Sequence, residues 1–335
     1  TKKQVKEIQE AMEDAGVQAL SWDDKIYQAA GLSPIPLLQS PALMRIMQRN
    51  CNATAGEWRN FTRTTANEAQ RLFINQMDNA YNMVVSGAVS YTEAVRDVIN
   101  NVTDTGVKVS YPSGYKMSIE AATMMIVRTG ISQTAAEVSM ERMKEMDWDI
   151  ILVSAHLGAR TGDGGMNPGN HLWWQGQFYS RTGRTKEYPD FKTSTGYGTG
   201  EGLCGWNCRH SFGPGDGINN PFSEKDIAYA DNYKIEKLQQ RQRTLERRIR
   251  DSKRKAQNLQ TAVDNCKDEK LKFELQQKLD RKSYMLSKQN KAYKQYCKDN
   301  DLKEYAERLR VARWSREQAA KAAGAARRYQ NTKGD

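Results

Sequence analysis

DIILVS, residues 149–154, is an apolar run of strand length in a chain that is otherwise helical on both sides of the region it opens. Ile150, Ile151, Leu152 and Val153 suit a buried strand, and the run is too short to be a helix of its own. From there to about Pro221 helical periodicity fades while Gly, Trp and Tyr accumulate, so the stretch reads as β and loop. Within it lies TGYGTGEGLCGWNCRHSF, residues 195–212, where Gly196, Gly198, Gly200, Gly202 and Gly205 are interleaved with Tyr197, Leu203 and Trp206. Bulky apolar residues between the glycines argue for tight turns and close chain approaches, not for a flexible linker.

Upstream, residues 2–102 carry apolar side chains at three- and four-residue steps, as in 66–84 and 91–99, and predict helices broken once at Ser33-Pro34-Ile35-Pro36. Residues 107–111 alternate as a short strand and Pro112-Ser113-Gly114 turns the chain. Ser118 and Glu120 then open a helix running to about Met146. Downstream of Phe222, Ile235, Leu238, Leu245, Ile249, Ala256, Leu259 and Val263 trace a heptad seam. Asp264-Asn265-Cys266-Lys267-Asp268 interrupts it, and Leu279, Leu286 and Tyr293 begin a second series running toward Trp314. A helical hairpin within one chain and a long helix paired with another subunit both satisfy this pattern. The Ala- and Arg-rich tail, 319–335, is expected to fray.

Composition separates these regions. The 335 residues carry a net charge of +11, with a mean hydropathy of −0.81, so part of the chain runs as solvated helix. Residues 223–335 hold 30 Lys and Arg against 17 Asp and Glu, whereas the rest holds 21 against 23. A nearly neutral body therefore carries a basic arm, which fits either a solvated coiled coil or a contact with nucleic acid or another polyanion. For a nucleic-acid contact the candidates are Arg241, Arg243, Arg247, Arg248, Arg250, Lys253, Arg254 and Lys255. Five scattered cysteines do not read as a disulfide framework, and no apolar run is long enough to span a membrane. Synthesis and assembly in a reducing bacterial cytoplasm are expected.

All three histidines, His156, His171 and His210, share the Gly-rich region with the closely spaced Cys204 and Cys208. On an extended strand Cys208 and His210 face one side, and Cys204 can return to the same point across Gly205. Zinc is the candidate ion, held by His171, Cys204, Cys208 and His210 with His156 as an alternative ligand. The spacing lacks the paired two-residue knuckles common in zinc sites, and a packed polar core beside Trp173, Trp174 and Trp206 accounts for the same residues. Catalysis has less to stand on. Asn207 and His210 are too close for a His-Asn-His nuclease and no carboxylate ligand set is evident. Neither a phosphate-binding P-loop nor a G-x-S-x-G elbow occurs, and a Cys208–His210 nucleophile pair has no third group to orient it.

Tyr111-Pro112-Ser113-Gly114, Arg128-Thr129-Gly130 and the run from Val153 to Arg160 resemble, in order, blocks of the phage minor capsid protein 2 family. The stretch from His171 through Trp174-Gln175-Gly176 to Ser180 is similar to that family's His-x-x-Trp-Gln-Gly block. Residues 195–212 are similar to its terminal block. The resemblance implies a non-enzymatic minor head protein of a tailed phage, related in its core to Mu F-like head-morphogenesis proteins. It implies a place in the virion, inside the head or at the portal vertex, and a role in head assembly and genome packaging or delivery. Portal protein, major capsid protein and packaged double-stranded DNA are the partners so implied. A DNA-binding internal virion protein is the alternative, ahead of a virion-carried nuclease or transferase.

The expected fold is α+β in three parts: a helical N-terminal region (1–106), a compact core (107–222) and a basic helical hairpin or coiled-coil arm (223–335).

Overall fold

The structure is a computed structural model that describes residues 2–85, 93–94, 96–98, 101, 108–110, 116–222 and 229–332. Helices α1 (Lys2–Ala29) and α2 (Pro41–Val85) flank a single 3₁₀ turn, Leu37–Gln39. Strands β1 (Lys108–Ser110) and β2 (Lys116–Ser118) lead into α3 (Ile119–Glu145). Then follow β3 (Ile150–Val153), α4 (His171–Trp174), β4 (Phe178–Ser180), α5 (Phe191–Thr195) and β5 (Phe212–Pro214). Long helices α6 (Tyr229–Asn265) and α7 (Glu269–Asp299) precede a 3₁₀ turn (Ala306–Leu309) and α8 (Arg316–Thr332). The chain packs as two units, Thr1–Arg63 with Ala121–Lys237, and Thr64–Glu120 with Leu238–Asp335.

In the first unit β3 is the middle strand of a three-stranded antiparallel sheet, with Ile151 opposite Tyr179 of β4 and Pro214 of β5. Ile151 and Val153 are fully buried while Ile150 and Leu152 are half-buried, so the strand has one dry face. Tyr27 of α1 and Ala136 and Met143 of α3 pack against that face together with Trp174, Tyr179, Phe191 and Phe212. Each large side chain fully buried there contributes about 1.5–3 kcal/mol. Helix α1 and α2 as far as Arg63 thus belong to this unit. Their junction is held by Arg142, fully buried, which donates to the Ile35 carbonyl oxygen and pairs with Asp24 and Glu145. Neighbouring Asp23 is pushed up to about 7, chiefly by burial. It therefore contributes stability below the ordinary carboxylate range that is lost as the pH rises through 7.

One carboxylate ties β3 to the turn after β4. Asp149 accepts from the hydroxyls of Ser180, Thr182 and Thr185 and from the backbone N–H of Thr182 and Thr185, at 2.6–3.0 Å. Burial alone would raise its pKa. The hydrogen bonds from Thr182, Ser180 and Thr185 reverse this and hold the group well below the usual carboxylate range. A buried amide closes the unit at its end: Asn232, in the first turns of α6, accepts from the N–H of Gly158 and Ala159 and donates to the Ala159 carbonyl.

In the second unit, Ala256, Leu259 and Val263 of α6 pack on Leu271, Leu275 and Leu279 of α7 and Ala325 of α8. Tyr293 reaches back to Glu246, and Gln242 to Cys297. Early α6 thus meets late α7 and late α6 meets early α7, an antiparallel arrangement. Asp268 caps α7 by accepting from the Leu271 N–H, which explains why the seam breaks at 264–268. The tail differs from the expectation of fraying. Over 316–332 it is a helix whose Ala322, Ala325 and Ala326 are buried, with Arg328 forked onto Asp280. Small side chains allow this close approach. The strand expected at 107–111 is β1 over 108–110, but its partner β2 reaches Ser118, where only a helix start was expected. The 112–114 turn and parts of the helix expected up to residue 102 lie outside the described residues.

Replacing Asp149 by alanine leaves several buried donors without an acceptor. We expect Asp149→Ala to lower unfolding free energy by about 3 kcal/mol or more in urea titrations, whereas removing the exposed Arg184–Asp147 pair changes it by less than about 1 kcal/mol.

Candidate metal centre

The centre forms where the chain makes its closest approaches to itself. A Cβ on Gly202 would run into the carbonyl oxygen of Gly196, and one on Gly205 into that of Gly200. Only glycine permits this path. Leu203 N–H bonds the Thr195 carbonyl at 2.9 Å and Trp206 N–H the Gly200 carbonyl at 2.7 Å. Cys204 and Asn207 take φ of 60° and 56°, left-handed values that side chains other than Gly seldom adopt. The turn then feeds Cys208 and His210 toward β5, whose Phe212 lies opposite Val153.

Against this turn sits α4, and its first residue is His171. One ligand atom each from His171, Cys208 and His210 lies within 4.8 Å of the others, and all three residues are buried. Cys208 Sγ is 3.7 Å from His210 Nδ1. The Gln175 Oε1 accepts from the backbone N–H of His156 at 3.1 Å and faces His210 Nε2 at 2.8 Å. Because it serves as an acceptor for that N–H, its natural partner is an Nε2–H, which leaves Nδ1 of His210 with its lone pair toward the sulfur. His156 stacks on His210 with ring centroids 4.3 Å apart, and its Nε2 is buried with no hydrogen-bond partner.

His171 is placed under opposed demands. Its Nε2 lies 2.6 Å from Arg160 Nη2, which can only donate, and 2.8 Å from the Glu201 carbonyl oxygen, which can only accept. No single neutral tautomer satisfies both. Burial, ahead of the nearby cations, keeps the three imidazoles neutral: His171 is lowered to about 4, His156 is lowered, and His210 is lowered well below its usual value. Burial also raises both thiols, Cys204 further than Cys208, which is eased by backbone hydrogen bonds and by Arg160.

The four ligands expected from sequence are therefore not all equivalent. His171, Cys208 and His210 converge. Cys204 is buried in the aromatic core with its sulfur 3.8 Å from the His210 carbonyl oxygen, and it stands outside the converging group. His156 is adjacent through its ring. Sequence reasoning passed over Gln175 and Arg160, the two side chains that meet the imidazole nitrogens of His210 and His171. Their sequence signal was the blocks that carry the resemblance, Trp174-Gln175-Gly176 for the one and Val153 to Arg160 for the other.

The basic candidates on α6 also divide. Arg250 is buried and donates to the Arg308 carbonyl, and Lys253 donates to the Leu309 carbonyl at 2.8 Å while lying over the Trp314 ring. These two are used within the arm. Arg254 and Lys255 pair with Asp251. Arg241, Arg247 and Arg248 are exposed, and Arg243 is half-buried.

A family model described as Phage minor capsid protein 2 matches residues 1–298 of the chain. Among curated proteins, one described as a structural protein of Lactococcus phage LL-H is 26% identical over 198 residues, which is 56% of this chain and 50% of that protein. The chain spans about half the length of that curated relative. No solved structure matches. Among the described residues no helix is long and apolar enough to cross a membrane.

The glycine requirement is open to a direct test. Gly202→Ala should cost more than about 3 kcal/mol or prevent folding, since backbone must move to admit the methyl group. Gly56→Ala, on α2 with no atom within 4 Å of an added Cβ, should be neutral or stabilising by about 0.5–1 kcal/mol. Circular dichroism melts of the two variants check both.

Proposed function

Because the chain belongs to the phage minor capsid protein 2 family, we propose that it serves as a non-catalytic structural component of a tailed-phage head, seated beside the portal or on the inner capsid surface. In this reading the first unit binds the shell or portal proteins, and the arm, a helical hairpin closed within one chain, reaches the packaged DNA during head assembly and genome packaging or delivery. The division into N-terminal helices, core and arm is kept as the functional plan. The apolar contacts between α6 and α7 support the hairpin.

The observation that carries the DNA contact is the charge of the arm: 30 Lys and Arg against 17 Asp and Glu over 223–335. Several of the basic side chains are spoken for by carbonyls or by Asp251, and the contact is assigned to the exposed Arg241, Arg247 and Arg248. Phosphate is the recognised group, and no base reading is implied. At about 1.5 Å per residue, the 37 residues of α6 extend roughly 55 Å. A virion-carried nuclease or transferase is disfavoured by the site chemistry: the converging group holds no carboxylate, and its residues are too buried to receive a substrate.

Two measurements test this reading. Quantitative mass spectrometry of purified particles should find the protein in heads at far lower copy number than the major capsid protein, and its absence from particles would refute a structural role. For the arm, duplex DNA binding by the full-length protein should weaken steeply with salt. Changing Arg241, Arg247 and Arg248 together to Gln should reduce the log–log salt slope by about 2–3, at ~0.9 per lost phosphate contact. An unchanged slope would remove DNA from the list of partners.

A further inference from the structure

We propose that His171, Cys208 and His210 bind one zinc ion that fastens the glycine-rich turn 195–210 to α4. This goes beyond the virion reading and does not depend on it.

Geometry comes first. A tetrahedral zinc with Zn–N near 2.0 Å and Zn–S near 2.3 Å places its nitrogen and sulfur ligands roughly 3.5 Å apart. Cys208 Sγ and His210 Nδ1 already stand 3.7 Å apart, and the third donor lies within 4.8 Å of both. Closing the set takes about an ångström of side-chain movement, with no change of chain path.

Hydrogen bonding supports the same assignment. A metal-bound imidazole typically donates its other N–H to a carbonyl-type oxygen. His210 meets that condition, with Nε2 on Gln175 Oε1 and Nδ1 turned to the sulfur. For His171, an ion on Nδ1 leaves the proton on Nε2, which then donates to the Glu201 carbonyl oxygen, the same atom that accepts from Arg160. The donor set of two imidazoles and a thiolate, with no carboxylate among them, suits zinc and not magnesium or calcium. Arg160 adds positive charge nearby, and the Cys208 thiolate offsets it.

The role that follows is structural. His171 and His210 are each 2% exposed and Cys208 4%, so no substrate reaches the ion. The converging residues supply three of the four ligands, and a buried water completes the set, because His156 stacks face to face on His210 and does not aim its ring nitrogens at the same point. The ion would add to the Gln175–His210 and His171–Glu201 contacts between α4 and the turn, and because the site does not form in the unfolded chain its binding free energy adds to that of folding.

Elemental analysis of the full-length chain, purified without chelator, is the test. About one zinc per chain is expected, and Co²⁺ put in its place should give the intense visible bands of a tetrahedral site together with a near-ultraviolet thiolate-to-cobalt band. Cys208→Ser should lose the thiolate band and Cys204→Ser should keep it. Should Cys208→Ser fail to fold, His171→Cys is the second variant, expected to retain the metal and strengthen the thiolate band. A well-folded wild-type chain with less than about 0.1 zinc and no cobalt bands overturns the proposal, leaving Cys208 and His210 as a thiol–imidazole hydrogen-bonded pair. A thiolate band lost in Cys204→Ser but kept in Cys208→Ser overturns the ligand assignment.

Discussion

The first unit depends on backbone crowding at Gly202 and Gly205. Each lies so close to the carbonyl oxygen of another glycine that no side chain fits, and that closeness folds 195–206 back on itself. From this one constraint the rest of the centre follows: Leu203 and Cys204 turn into the aromatic core, Cys208 and His210 come under α4, and Phe212 enters the sheet beside Val153. A three-stranded sheet of three- and four-residue strands is too small to be stable alone. The turn and α4, with α1 and α3 behind the sheet, supply the missing burial.

Buried polar groups then decide which arrangement is adopted. Asp149, Arg142, Asn232 and Gln175 each sit where an unpaired group would cost about 1–3 kcal/mol or more, and each meets hydrogen-bond partners from distant parts of the chain. Asn232 secures the first turns of α6 to the loop at Gly158 and Ala159. Its carbonyl oxygen accepts two N–H bonds and its amide donates one, which holds the first turn of α6 within the first unit. Arg241, Arg247 and Arg248 lie exposed further along the helix.

Much of this was legible in the sequence where apolar pattern decides the outcome. Ile150–Val153 had to be a strand, and the seam through Ile249, Ala256, Leu259 and Val263 had to be a buried helix face. The pairing of 116–118 with 108–110 was not legible, since three residues before a helix start carry no alternation to read. His171, Cys208 and His210 were nominated by composition, but spacing does not reveal that the Cys204 sulfur lies at the His210 carbonyl oxygen and outside the converging group. Arg250 and Lys253 could have been set apart sooner. Counting from Ile249 and Ala256, both flank the buried stripe of α6, where a long basic side chain turns along the helix to reach a carbonyl. Membership of the family rests on the match over residues 1–298, and the ordered blocks that first carried the resemblance lie in the core, where the glycine and histidine constraints also lie.

Native hydrogen–deuterium exchange of the full-length chain, read over peptides covering 195–212, tests most directly whether this segment is a fixed centre and not a surface loop. The amides of Leu203, Trp206 and Cys208 are bonded to carbonyls within the turn, so they should exchange as slowly as those of β3 and α3, through opening of the whole unit. Exchange of the entire segment at the rate of an unprotected loop would contradict the account.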